Sequence, residues 1–205
     1  MNQPVMDWPK SLMPDAFRGL DVLQSVSVRG QKAARLLIQH GVWDGLAGFD
    51  PIVAGTFPIN LDIDGSDIDI LCYCPGFGGF EARAQSAFGH LDGFGLHHRP
   101  ATQHVGPAIV VRFVLGDLPV EIFATGTPSQ SQFGFRHMLV EARVVALLGE
   151  SFASDIRQLK REGVKTEPAF ASLLTLGGDP YIALDGLYDL GPDALRDWVR
   201  AAINP

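Results

Sequence analysis

The sequence predicts an α+β fold: a small mixed β-sheet reached through two amino-terminal helices and followed by a carboxyl-terminal helical layer. Three observations lead there. Apolar residues recur at helical spacing as far as Trp43, at alternating or continuous strand-like spacing between Pro51 and Ala124, and at helical spacing again from Phe133 onward. No internal repeat or low-complexity stretch interrupts this order.

Phe17, Leu20, Val22 and Leu23 form one apolar stripe along Asp15 to Val26, and Ala33, Leu36, Leu37 and Val42 form another along Val28 to Trp43, so both segments read as amphipathic helices. Pro51 to Ala54 is a short apolar strand stopped by Gly55. Ser66 to Tyr73 alternates polar and apolar residues until Pro75 and a glycine cluster end it. Phe80 to Asp92 reads as a helix leading into a meander of three strands, Leu96 to Gln103, Ala108 to Leu115 and Leu118 to Ala124, the last two joined by the tight-turn signal Gly116-Asp117. Five helices follow: Phe133 to Leu148, Phe152 to Glu162, Pro168 to Leu176, Pro180 to Leu187 and Pro192 to Ala202. Asp179-Pro180 supplies an N-cap and a first-turn proline for the fourth of these. Residues 1–130 are expected to form the core that carries the chemistry, with residues 131–205 a helical region packed on it.

A chain of 205 residues, 46% of them hydrophobic and 19% charged, can bury a sizeable core. Its formal net charge of −7 argues against a long polynucleotide partner, because sequence-independent backbone binding needs a basic surface to displace counterions. Met1 to Pro14 lacks the apolar run of a signal peptide, and nowhere do about 20 apolar residues follow one another. A soluble, cytoplasmic protein with no membrane partner is expected. Cys72 and Cys74 lie two apart on one strand face, too close along an extended backbone to bridge easily, and read as buried thiols.

The chemistry is concentrated in the run from Gly55 to Ile70. Strand periodicity puts Asp67 and Asp69 on one face and Ile68 and Ile70 on the other. Residues two apart on a strand lie about 6 to 7 Å apart, so both carboxylates can converge on a hard, oxygen-loving cation. Mg2+ suits this chemistry best, with Mn2+ its substitute. Glu121 interrupts an otherwise apolar strand between Val120 and Ile122, where a charge facing the core would be costly. Three carboxylates within about 5 Å would repel by roughly 3 kcal/mol per pair at an effective dielectric of about 20, and a divalent ion removes that penalty.

Gly55-Thr56, Asp67-Ile-Asp69 and Glu121 together resemble the signature of the DNA polymerase β-like nucleotidyltransferase superfamily, a Gly-Ser or Gly-Thr turn followed by an Asp-x-Asp strand and a third acid on a separate strand. Within it the chain looks similar over nearly its whole length to an uncharacterised bacterial family of unknown function, through Gly-Thr-Phe-Pro-Ile59, Gly-Ser-Asp-Ile-Asp69, Val-Glu-Ile-Phe123, Arg-His-Met138 and Lys-Thr-Glu-Pro-Ala-Phe170. The resemblance implies a nucleotidyltransferase-like sheet topology and a two-metal reaction. In it Asp67 and Asp69 bind both ions, Glu121 completes the site or helps deprotonate the acceptor, and Gly55, Thr56 and Ser66 hold the nucleotide phosphates. Thr56 replaces the commoner Ser, and the apolar Phe57-Pro-Ile59 stands where many members carry polar or basic residues.

Further candidates come from position. Arg112, alone in an apolar strand beside that of Glu121, can neutralise the acid or meet a phosphate. Gln132 and Arg136 share a helix face at a spacing of four and, with His137, can reach a nucleotide from the side, while Arg136 can equally pair with Glu141. Lys160 and Lys165 form a basic edge or are simply solvated, and Asp62 and Asp64 are extra ligands or, more readily, solvated turn residues. Asn60 to Gly65 mimics the start of an EF-hand loop, but Leu71 stands where the bidentate glutamate is required. Gly76 to Gly79 lacks phosphate-loop spacing and reads as a plain loop, and the adjacent His97 and His98 point to opposite faces, which argues against a zinc site with His104. The function expected is transfer of a nucleoside monophosphate, AMP from ATP, to a hydroxyl of an unidentified small-molecule or protein acceptor. The rivals are a non-catalytic nucleotide-binding or interaction module and phosphate-ester hydrolysis at the same site.

Overall fold

The computed structural model describes Trp8–Ile203. Residues 1–7, part of the stretch read for a signal peptide, lie outside the described residues. The described residues divide into two compact units, one of Phe17–Asn60 and Asp64–Phe135, the other of residues 8–16, Leu61–Ile63 and residues 136–203. The fold is mixed α+β with one five-stranded sheet.

The first unit holds α1 (Asp21–Val26), α2 (Val28–Gln39), α3 (Val42–Gly45), β1 (Ile52–Ala54), β2 (Ile68–Tyr73), α4 (Phe77–Phe88), β3 (Gly95–Arg99), β4 (Ala108–Leu115) and β5 (Leu118–Thr125). The two expected amino-terminal helices are more broken than their stripes suggest. Asp15 falls in a 3-10 turn, Pro14–Phe17, and Gly41, at φ +65°, separates α2 from α3. The Ser27 side chain accepts from the Gly30 amide and so caps α2. Gly76-Phe77-Gly78-Gly79 is not a plain loop: Gly76 stands at the N-cap and α4 begins at Phe77, whose position lets Phe80, Ala84 and Phe88 face the core.

The sheet order is β1-β2-β5-β4-β3, with β2 parallel to β5 and every other pair antiparallel. One face is apolar throughout. Ile68, Ile70, Cys72, Val120, Ile122, Ala124, Ile109, Val111 and Phe113 lie in a single core with Leu23, Ala33, Leu37, Phe80 and Phe88 of the helices. Leu37 has no exposed surface, so Leu37→Ala should cost about 2 to 5 kcal/mol through lost transfer energy and the cavity left behind, measured by urea unfolding. Cys72 and Cys74 are buried free thiols, and burial pushes the Cys72 thiol far up, so it is inert at neutral pH.

The second unit contains most of α5 (Phe133–Leu148), then α6 (Glu150–Arg161), α7 (Thr166–Leu173), α8 (Pro180–Asp185) and α9 (Pro192–Ile203). Asp179 caps α8 by accepting from the amides of Tyr181 and Ile182, with Pro180 in the first turn. No helix among the described residues is long and apolar enough to cross a membrane.

Candidate active site

The acidic residues stand on the sheet face turned away from the core. β2 begins at Ile68, so Asp67 lies just before the strand, exposed, and Asp69 lies on it, half-buried. Parallel pairing puts Asp69 opposite Glu121 on β5, and antiparallel pairing puts Glu121 opposite Arg112 on β4. Ala54 pairs with Asp69 on the other side and Gly95 with Arg112. One row therefore crosses all five strands as Ala54, Asp69, Glu121, Arg112, Gly95.

Gly55 follows β1 with φ +68°, and a Cβ built on it would lie 2.1 Å from Asp69 Oδ2. Only glycine lets the turn approach the carboxylate this closely. Thr56, buried, leads into the 3-10 turn Phe57–Ile59, whose three side chains are all buried. The apolar character of Phe57-Pro58-Ile59 is thus a packing requirement of this turn. Ser66, half-buried, sits in the loop directly before Asp67.

Arg112 is directed to the acid: its Nε and Nη2 both donate to Glu121 Oε2, at 2.7 Å and 2.5 Å. Among the described residues no group of three or more histidine, cysteine, aspartate or glutamate side chains stands in a metal-binding arrangement.

Three of the expected nucleotide contacts are committed elsewhere. Gln132 is buried in the first unit, where its Nε2 donates to the carbonyls of Cys72 and Thr127 and ties the end of β2 to the chain after β5. Arg136 forks onto Asp185 with Nε and Nη2 and lies 3.9 Å over the Tyr188 ring; the bond to Asp185 raises its pKa. Its partner is Asp185 and not Glu141. His137 is buried, its Nε2 donating to the Tyr181 carbonyl at 2.9 Å and its Nδ1 3.6 Å from Glu167.

Asp62 is buried, contrary to its reading as a solvated turn residue, whereas Asp64 is exposed and pairs with Arg29 at 2.6 Å. Lys160 is half-buried and donates to the Leu61 carbonyl, so it is not a free solvated edge; Lys165 is exposed. His97 and His98 point to opposite faces, with His98 3.3 Å from Glu81.

Two buried charged groups of the second unit carry no sequence signal, because each sits at an ordinary helical position of α5. Arg143 has no exposed surface and lies over the Trp8 and Tyr188 rings, and burial brings its pKa down to about 10. Glu141 is buried, and desolvation together with the nearby Glu167 charge raises its carboxyl well above the usual range, Lys160 opposing. Burial works to raise Glu167, but the His137 side chain, a backbone hydrogen bond and the Lys165 charge together outweigh it and hold that carboxyl below the usual range.

Glu141 makes stability depend on pH. A carboxyl raised on folding binds its proton more tightly in the folded chain, so its stabilisation is complete below the unfolded value, about 4.3, and is lost as pH rises through the folded value. Glu141→Gln is expected to raise the melting temperature relative to wild type more at pH 8 than at pH 4, read by scanning calorimetry. An equal shift at both pH values would contradict this assignment.

The sheet thus carries adjacent acids on one face, with a glycine turn against one of them. Among solved structures, the chain is similar to the GLD-2/RNP-8 complex, at 10% identity and a TM-score of 0.51, covering 82% of this chain and 68% of that one. It is also similar to Cid1 poly(U) polymerase bound to Mg 3'-dATP, at 12% identity and a TM-score of 0.47, covering 80% of this chain and 51% of that one. The chain thus spans about half the length of the Cid1 chain. The chain belongs to the family described as domain of unknown function DUF4269, whose model matches residues 35–187. No curated protein matches the chain in sequence.

Proposed function

We propose that this chain is a divalent-metal-dependent nucleotidyltransferase that moves a nucleoside monophosphate, AMP from ATP, onto a hydroxyl of a small-molecule or protein acceptor in the cytoplasm. The observation that carries the reading is the pairing of Asp69 with Glu121 on adjacent parallel strands, on the open face, with the Gly55 turn against Asp69.

The donor chemistry fits Mg2+ or Mn2+, with Asp69 and Glu121 offering carboxylate oxygens from paired positions of neighbouring strands. Asp67, Asp69 and Glu121 would hold the ions, which supply Lewis-acid activation of the hydroxyl and charge neutralisation of the phosphates. The chain's own contribution is positional. β2 and β5 fix the spacing of Asp69 and Glu121, and their apolar alternate residues anchor both strands in the core. In this reading Gly55, Thr56 and Ser66 would supply backbone and hydroxyl donors to the phosphates. Residues 1–130 carry this machinery in the reading, and residues 131–205 are the accompanying helical region.

Incubating the protein with each labelled nucleoside triphosphate, Mg2+ and a metabolite extract should yield a nucleotidylated product and pyrophosphate in wild type but not in Asp69→Asn. Nucleotide binding with no turnover would favour a binding module, and release of free nucleoside monophosphate with water as acceptor would favour hydrolysis.

A further inference from the structure

We propose that Arg112 is a resident counter-ion which competes with the metal for Glu121, so that the affinity of the metal site is set by how readily the guanidinium lets go. This rests on the reading of Asp67, Asp69 and Glu121 as metal ligands.

Glu121 stands between two claimants. Neighbouring strands lie about 4.8 Å apart, so Asp69 on β2 and Arg112 on β4 flank it on either side of the same row. A cation shared with Asp69 must be approached from the β2 side, whereas Arg112 holds Glu121 from the β4 side. Both guanidinium bonds land on the single oxygen Oε2. Charge-assisted bonds of this length take up much of that oxygen's capacity to donate to a cation, and a divalent ion brought beside an intact guanidinium would also be repelled. Full recruitment of Glu121 therefore requires Arg112 to swing away.

The surroundings permit that swing. The Arg112 side chain is 59% exposed against 25% for Glu121, so the released charge returns to water and leaves no buried unpaired cation. Its neighbour in the row on β3 is Gly95, and a Cβ built there would meet no heavy atom within 4 Å. The guanidinium thus has open space on the side away from Glu121. Arg112 is a positioning residue, acting on the metal through Glu121.

A merely structural ion pair would weaken the protein when removed; a competing one makes the metal bind better. Calorimetric titration of Mn2+ into the full chain should give about tenfold tighter binding for Arg112→Gln than for wild type, and an intermediate value for Arg112→Lys, which keeps the charge but loses the fork. Asp69→Asn should abolish binding. Equal or weaker Mn2+ affinity in both Arg112 variants, with melting temperatures showing them folded, would overturn the proposal and leave the metal reading intact. Absence of Mn2+ binding by wild type, or undiminished binding by Asp69→Asn, would overturn the metal reading itself and the proposal with it.

Discussion

On the proposed activity, Gly55→Ala is expected to reduce nucleotidyl transfer by about a hundredfold, because a misplacement of about 1 Å at the site is enough for that loss. The added methyl would stand 2.1 Å from Asp69 Oδ2, well inside any permissible contact, and the backbone at φ +68° disfavours every L side chain. Either the carboxylate rotates away or the turn withdraws, and both separate the turn from the acid. The conformational part alone costs about 1 to 2 kcal/mol of stability, small enough to leave the sheet folded. Paired measurements of turnover and Mn2+ affinity would check the outcome. A variant that turned over at the wild-type rate would show that the close approach of Gly55 to Asp69 has no part in the chemistry.

The second large effect is on stability. Arg143→Ala is expected to destabilise the chain by about 3 to 5 kcal/mol in urea unfolding, while Arg143→Met costs markedly less. Arg143 donates to the carbonyls of Leu12 and Tyr188 and packs its guanidinium against the Trp8 and Tyr188 rings, all within the second unit. Its Nη2 is buried and makes no hydrogen bond. The group is thus a desolvated cation with incomplete compensation, and its depressed pKa reflects the same penalty. Alanine removes the bonds and leaves a void between two aromatic rings. Methionine fills much of the space and removes the desolvated charge, so a large loss with methionine as well would mean that the cation–ring contacts outweigh burial.

How much of this could be read from the residues depends on how local the cause is. The ends of β4 and α5, and the N-cap at Asp179, follow from apolar periodicity and turn chemistry within a few residues. The Arg112–Glu121 pair was accessible by counting outward from the Gly116-Asp117 turn, since an antiparallel hairpin fixes its own register: Leu115 faces Leu118, Phe113 faces Val120, and Arg112 faces Glu121. The pairing of Asp69 with Glu121 was not accessible this way, because a parallel pair has no connecting turn to count from. The proximity of Gly55 to Asp69, and the commitment of Gln132 and Arg136 to Cys72, Thr127 and Asp185, likewise depend on contacts that sequence spacing does not encode. A polar residue at a helix position that looks solvent-facing can be drawn inside when a distant ring or carbonyl meets it, as Arg143 shows.

The parallel junction of β2 with β5 also bears on the time course of assembly. Asp69 and Glu121 are joined only after the chain between them, with α4 and the β3–β4–β5 meander, has closed a long loop, whereas the β4–β5 hairpin needs only its two-residue turn. Local hairpins form in about 1 to 10 μs, and pairings that close long loops lag far behind. Arg112 and Glu121 can therefore meet early, and Asp69 arrives later at a strand whose acid is already neutralised. In a refolding experiment, hydrogen-exchange protection of the β4–β5 hairpin should appear before that of β2, and destabilising the β2–β5 seam should delay β2 without delaying the hairpin.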